Sequence, residues 1–150
     1  MDLHERSILL TGAGSGIGRA LALQLAEHGT QLTLVGRRAE PLEEVAERAR
    51  ERGGRAAVVP ADLTAAGTAH AVIAEAQEAF GGIDVLVNNA GNVRAGRLEA
   101  VEEEEVLAQI SLNLTAPILL TRAALPALRA SGDGLVVNVS SGIALMGMAF

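Results

Sequence analysis

Thr11-Gly12-Ala13-Gly14-Ser15-Gly16-Ile17-Gly18 is the stretch on which the reading of this chain turns. It follows an apolar run, Ile8-Leu9-Leu10, and precedes a helical pattern, so a strand, a glycine-rich turn and a helix start come in succession. Glycine admits positive φ and lets a backbone approach a ligand closely. A helix that opens directly after such a turn presents unpaired N–H groups and the positive end of its dipole. These are the parts needed to hold a dinucleotide pyrophosphate. The glycines fall at 12, 14, 16 and 18, which is not the G-x-G-x-x-G spacing. Taken alone, such a loop is also an ordinary turn, so the rest of the chain must decide.

With 150 residues the chain has the length of one domain, able to bury roughly two thirds of its unfolded surface. Its 49% hydrophobic content predicts a buried core, and with two Phe and no Tyr or Trp that core must be Ala, Val, Leu and Ile. A net charge of −6 argues against a nucleic-acid partner, which asks for a basic face. The absence of Cys removes disulfide and thiol chemistry and fits a cytoplasmic protein. Met1-Asp2-Leu3-His4-Glu5-Arg6 lacks the apolar segment of a signal peptide, and no apolar run is expected to approach the length of a membrane span. No membrane partner and no metal site are therefore expected. His4, His28 and His70 read as surface residues, and Glu102–Glu105 as an acidic helix start.

Strand and helix patterns alternate along the chain, the mark of a parallel sheet with crossover helices. Strands are predicted at Ser7–Thr11, Gln31–Gly36, Ala56–Pro60, Ile83–Asn88 and Gly134–Val139. Helices are predicted at Gly16–His28 with Ile17, Ala20, Leu21 and Leu25 on its apolar face, and through Leu42, Val45, Ala46 and Ala49. A third runs through Val72, Ile73, Ala76 and Phe80, and a longer helical stretch covers Val101–Ala130. Gly29, Gly53 and Gly81 stand where helices stop. The fold class is α/β, a Rossmann-type doubly wound parallel sheet of order 3-2-1-4-5 with its ligand site at the carboxyl ends of the strands.

Further motifs sit at those carboxyl ends. Strand 2 closes in Val35-Gly36-Arg37-Arg38, with no acidic residue where a ribose-binding carboxylate would stand. A guanidinium there suits a 2′-phosphate through bidentate bonds; otherwise the two arginines only solvate a loop. Asp62-Leu63-Thr64 follows strand 3, with Thr64 also readable as the cap of the third helix. Asn88-Asn89-Ala90-Gly91 closes strand 4 and Asn138-Val139-Ser140-Ser141 closes strand 5. Asn113 lies four residues before Pro117, which has no N–H to give to the Asn113 carbonyl and so leaves it open to water at a kink.

In this order the motifs, from Thr-Gly-x-x-x-Gly-x-Gly onward, resemble the classical short-chain dehydrogenase/reductase family over essentially the whole chain. The resemblance implies hydride transfer between a nicotinamide cofactor and a carbonyl/alcohol substrate. It implies cofactor contacts from Gly12, Ser15, Gly16, Ile17, Gly18, Arg37, Arg38, Asp62, Leu63, Asn89, Ala90 and Gly91, with Asn88 and Asn89 also tying the sheet ends together. It makes Ser141 the residue that orients the substrate oxygen and gives Asn113 a relay water on its carbonyl. NADP is the expected cofactor, with NAD less favoured by the arginines at strand 2. The family's Tyr-x-x-x-Lys is missing, because the chain contains no Tyr and no Lys. The chain thus reads as the cofactor-binding portion, incomplete at its C-terminal edge, inactive by itself, with strand 5 and the apolar Gly142–Phe150 stretch uncovered. A homo-oligomer formed through strand 5 or the long helix is expected. The alternative is a catalytically silent NADP-binding or dimerisation module.

Overall fold

The computed structural model describes residues 2–94 and 96–142. Five parallel strands form one sheet: β1 (Ser7–Thr11), β2 (Gln31–Gly36), β3 (Arg55–Pro60), β4 (Val85–Asn88) and β5 (Leu135–Asn138). Their order is β3-β2-β1-β4-β5, as the alternating pattern predicts. Between them run α1 (Gly16–Ala26), α2 (Ala39–Glu51), α3 (Thr68–Phe80), and α4 (Glu103–Ile110) continuing into α5 (Ala116–Ala130).

The alternation of side chains along each strand divides the core in two. Ile8 and Leu10 of β1 face α1 and α2 with Leu32, Leu34, Leu42 and Val45. Leu9 faces the opposite layer, with Val72, Ile73, Leu86, Leu120 and Ala124 from α3, β4 and α5. The register pairs Leu10 with Leu34 and Val87, and Asn88 with Asn138, so the strand ends finish along one edge of the sheet. The loops that bear the motifs leave from that edge. Phe80, at the end of α3, lies 5.3 Å beneath the guanidinium of Arg55.

Three helices differ from the sequence expectation. On α1 the buried face is Gly18, Ala22, Leu23 and Ala26, flanked by the half-buried Leu21 and Leu25 of the expected stripe, while Ile17 is 67% exposed and Ala20 lies open as well. Small residues four apart let this helix sit close against the turn before it, and that need outweighs the pull of the larger side chains. The predicted Val101–Ala130 helix starts at Glu103 and is interrupted by a π-helical turn at Ser111–Thr115, where the Ala116 N–H reaches the Ser111 carbonyl. Pro117 supplies the reason, since it has no N–H with which to continue the α-helical ladder. The third difference is at α3, whose N-cap is Gly67, not Thr64.

Read continuously, Glu103–Ala130 is 28 residues with a window of mean hydropathy 1.2, long and apolar enough to cross a membrane by length and composition. The stretch departs from the expectation that no apolar run approaches a membrane span, because polar residues such as Gln109, Asn113 and Arg122 are scattered through it. Here its α5 part buries Leu120, Ala124, Ala127 and Leu128 against the sheet and α3. β5 occupies the edge of the sheet with Leu135, Val137 and Val139 exposed, in line with the expected uncovered strand. The apolar residues 143–150 lie outside the described part of the chain.

Candidate functional site

The glycine turn is built around the Thr11 hydroxyl. Buried at the end of β1, it donates to the Val87 carbonyl (3.2 Å) and accepts the N–H groups of Asn89 and Ala90 (3.0 Å each). The Asn89 amide donates in return to the carbonyls of Thr11 (2.9 Å) and Gly12 (3.3 Å). Backbone therefore meets backbone across the top of β1 and β4. Gly12 has φ +65°, and a Cβ on it would stand 2.9 Å from both Ala90 Cα and Asn89 Nδ2. A Cβ on Gly18 would come within 2.3 Å of the Gly12 carbonyl oxygen. Only glycine fits at either position. Ser15 precedes α1 with extended backbone and makes no side-chain cap, so the first N–H groups of the helix are left to face the cleft.

A cleft of about 300 Å³ opens above this turn. It is lined by Gly12, Ser15, Arg37, Arg38, Asp62, Leu63, Ala90 and Gly91, which the sequence singled out, and by Gly14, Gly36, Thr64 and Asn92, which it did not. Asn89 and Gly18 support the cleft from behind, and Gly16 and Ile17 form an exposed corner beside it. Gly14 and Gly36 leave room for Pro41 and Leu42 of α2. Among the described residues no group of three or more His, Asp or Glu could hold a metal ion.

At the far end of the cleft, Arg37 and Arg38 are exposed and form no ion pair among the described residues. Asp62 stands near them. Its Oδ1 accepts the Thr64 hydroxyl (2.7 Å) and the Thr64 N–H (3.0 Å). These bonds, the hydroxyl first, hold the Asp62 carboxyl below its ordinary 3.8, with the Arg37 charge acting in the same direction. Thr64 therefore serves Asp62 and does not cap α3. The insertion of Ala65-Ala66-Gly67 accounts for it, because two successive turns, Ala65 N–H to Asp62 O and Thr68 N–H to Ala65 O, intervene before the helix.

At the near end, Asn88 donates to Asn138 Oδ1 (2.9 Å) and Thr121 Oγ1 (3.2 Å), joining β4, β5 and α5 as the doubled asparagines suggested. Asn113 lies in the π turn at the place its spacing to Pro117 marks. Its side chain has a use the sequence did not reveal: Oδ1 accepts the Asn92 N–H (2.9 Å) and Nδ2 donates to the Asn92 carbonyl (2.7 Å). A side-chain amide here completes a backbone pairing, fixing the loop after Gly91. Ser141 is exposed beyond the end of β5, on the same edge of the sheet. Thr121 is an organising residue outside every motif, and Thr11, although it opens the glycine motif, has an organising role that only the structure reveals.

The family model for short chain dehydrogenase matches residues 6–150. An uncharacterized oxidoreductase of Thermotoga maritima is 36% identical over 148 residues, 99% of this chain and 58% of the relative. A fatty acyl-CoA reductase of Mycobacterium tuberculosis is 38% identical over 143 residues, 94% of this chain and 49% of the relative. The chain thus spans about half the length of these curated relatives. The crystal structure of an NADH-dependent reductase complexed with NAD superposes with a TM-score of 0.89 at 32% identity, over 95% of this chain and 62% of that one. An alcohol dehydrogenase of Thermococcus sibiricus complexed with 5-hydroxy-NADP gives 0.91 at 32% identity, over 97% of this chain and 62% of that one. By the family-model match over nearly its whole length, this chain belongs to the short chain dehydrogenase family.

Proposed function

We propose that this chain forms the NADP-binding part of an oxidoreductase that interconverts a carbonyl and an alcohol. The observation that carries the cofactor choice is the end of β2, where Gly36 is followed by two arginines that have no acidic partner within an ion pair's reach among the described residues. Solved neighbours hold NAD in one case and an NADP derivative in another, so the choice rests on this chain's own side chains. The residues fit a dinucleotide. Gly12, Ser15, Gly16, Ile17 and Gly18 offer uncapped N–H groups to a pyrophosphate, and Arg37 with Arg38 would grip a 2′-phosphate. Asp62 and Leu63 would flank an adenine, and Asn89, Ala90 and Gly91 would form the low wall beside a ribose. When bound, the nicotinamide supplies or accepts the hydride. Ser141 would hold the substrate oxygen by a hydrogen bond, and the Asn113 carbonyl would hold a water that carries protons.

No Tyr and no Lys occurs in the chain, so its own residues bind and orient but supply no phenol to transfer the substrate proton. The 150-residue chain is accordingly expected to bind cofactor without turnover. Titration with NADPH and NADH tests this reading: tighter NADPH binding supports it, and equal affinities or no binding by either refute it.

A specific feature also favours self-association, as a homo-oligomer or in a silent dimerisation module. Leu107, Ile110, Leu114 and Ile118, three or four residues apart through α4, the π turn and α5, are 47–56% exposed and offer an apolar surface. Such a surface is matched by a second copy of the same helices. Sedimentation at micromolar concentration checks it, with a dimer or larger species expected. The acidic, cysteine-free composition accords with the proposed cytoplasmic setting.

A further inference from the structure

Helix α4 touches the loop after β4 through a row of polar side chains. Glu105, Gln109 and Asn113 stand four residues apart, and among α4's mostly exposed residues Glu105 and Gln109 are half-buried. Four residues slightly exceed a helical turn of about 3.6, so such a row drifts around a regular helix. The wider π turn at Ser111–Thr115 turns Asn113 back into line. Each member takes a different handle on one short segment. Asn113 takes both the N–H and the carbonyl of Asn92. Gln109 Oε1 accepts the N–H of Arg94 at 2.9 Å, and Glu105 Oε1 lies 3.2 Å from the Arg94 guanidinium. Gln109 Nε2 reaches back to the Glu105 carbonyl at 3.4 Å, which holds its amide in the accepting orientation. The handles fall on alternate residues, 92 and 94, as a neighbouring strand would place them. The segment after Gly91, which belongs to no strand, is thus held at alternate residues by side-chain amides of a helix.

We propose that Gln109 is a positioning residue for the cofactor wall: by holding the Arg94 N–H it fixes the Asn92–Arg94 segment, and through it Gly91 and Asn92, which line the cleft. This rests on the cofactor reading above. Gln109 does not itself line the cleft, so its influence on a bound dinucleotide passes entirely through the loop. Its effect falls on the end of the cleft away from Arg37 and Arg38. Its loss therefore weakens NADPH and NADH by the same factor and leaves the preference between them unchanged.

The experiment compares Gln109→Leu with Gln109→Glu by amide hydrogen exchange and by titration with NADPH and NADH. Leucine removes the acceptor at similar size, whereas a glutamate retains an oxygen for the Arg94 N–H. Expected for Q109L is Arg94 amide exchange faster by roughly three- to tenfold, the worth of one neutral hydrogen bond, with Leu34 exchange in the core unchanged. Both cofactors weaken by a common factor within that range, and Q109E restores both exchange and affinity. Unchanged Arg94 exchange, a changed NADPH:NADH ratio, or a Q109E variant that behaves like Q109L overturns the proposal. So does faster exchange with unaltered affinities. If the unmodified chain binds neither cofactor, the dinucleotide reading fails instead, and Arg94 exchange alone then decides for or against the clamp.

Discussion

At the Gly12–Gly18 end of the cleft the walls are backbone, tightly buttressed, whereas at the Arg37–Asp62 end they are charged side chains standing in solvent. The first end works by shape. Its hydrogen bonds run among Thr11, Asn89 and Ala90, and its contacts are so close that an added methyl has nowhere to go. The second works by charge, which tolerates substitution and responds to salt. Under the proposed function, one set of residues would fix where a dinucleotide can lie and another would select which dinucleotide.

The contrast is most severely tested at Gly18. Gly18→Ala would drive a Cβ against the Gly12 carbonyl oxygen, 2.3 Å away, where neither partner is a flexible side chain. Overpacking of this kind costs about 3 kcal/mol or more, and a lower thermal midpoint with loss of cofactor binding is expected. A stable Gly18→Ala variant that still binds NADPH would show that the turn is far more yielding than its contacts imply. Next is Thr11→Val, which keeps the shape and removes the hydroxyl. The N–H groups of Asn89 and Ala90 then lose their acceptor, for a loss of roughly 2–3 kcal/mol, with Thr11→Ser recovering most of it in denaturant titrations.

At the charged end the expected losses are in affinity and not in stability. Arg37→Ala should weaken NADPH by about 10- to 100-fold, the scale of a charge-assisted contact, and NADH by less than about threefold. Raising the salt concentration should shrink the NADPH preference of the unmodified protein and leave the Arg37→Ala variant nearly indifferent. Calorimetric titration at two ionic strengths measures both. Equal weakening of the two cofactors would mean that Arg37 supports the loop and reads no phosphate.

The same division explains what the sequence could and could not disclose. Strands β1 to β4 were legible because apolar runs bounded by turns report burial directly, and α2 because its Leu42-Val45-Ala46-Ala49 stripe is both periodic and large. The inner face of α1 is legible only in part: Leu21 and Leu25 pack against the core as expected, but Gly18, Ala22 and Ala26 carry little hydrophobic signal, and what they provide is proximity. Thr64 was misplaced because local pattern cannot tell a helix cap from an Asx turn when Ala65-Ala66-Gly67 fits either. Pro117 announced an irregularity near Asn113, but the pairing of its amide with Asn92 joins residues 21 apart and exists only once the chain is folded. Ser141 was singled out by resemblance alone, since two serines after a strand are common turn chemistry.

The smallest effect expected belongs to Asp62, and its sign follows from its partners. The Thr64 hydroxyl and the Thr64 N–H favour the ionised carboxylate and outweigh the opposing effect of burial, the smaller Arg37 charge adds to them, and the folded pKa lies below 3.8. A depressed carboxylate contributes stability that is fully present above 3.8 and is lost as the pH falls through the lower folded value. Asp62→Asn keeps an oxygen for the Thr64 N–H and removes the charge, so it should cost little at neutral pH, within the roughly 0.5 kcal/mol usual for an exposed site. The gap between the two proteins should then begin to close as the pH falls below 3.8, and vanish once it has passed through the lower folded value, where the aspartate is protonated as well. Because Arg37 is one of the groups that lower this pKa, Arg37→Ala should narrow the gap further, and the two substitutions should not add. Thermal midpoints of the four proteins from pH 7 down to about pH 2.5 measure this directly. A gap that widens in acid would mean that Asp62 is stabilised as the neutral acid, and its place beside Arg37 would then need another explanation.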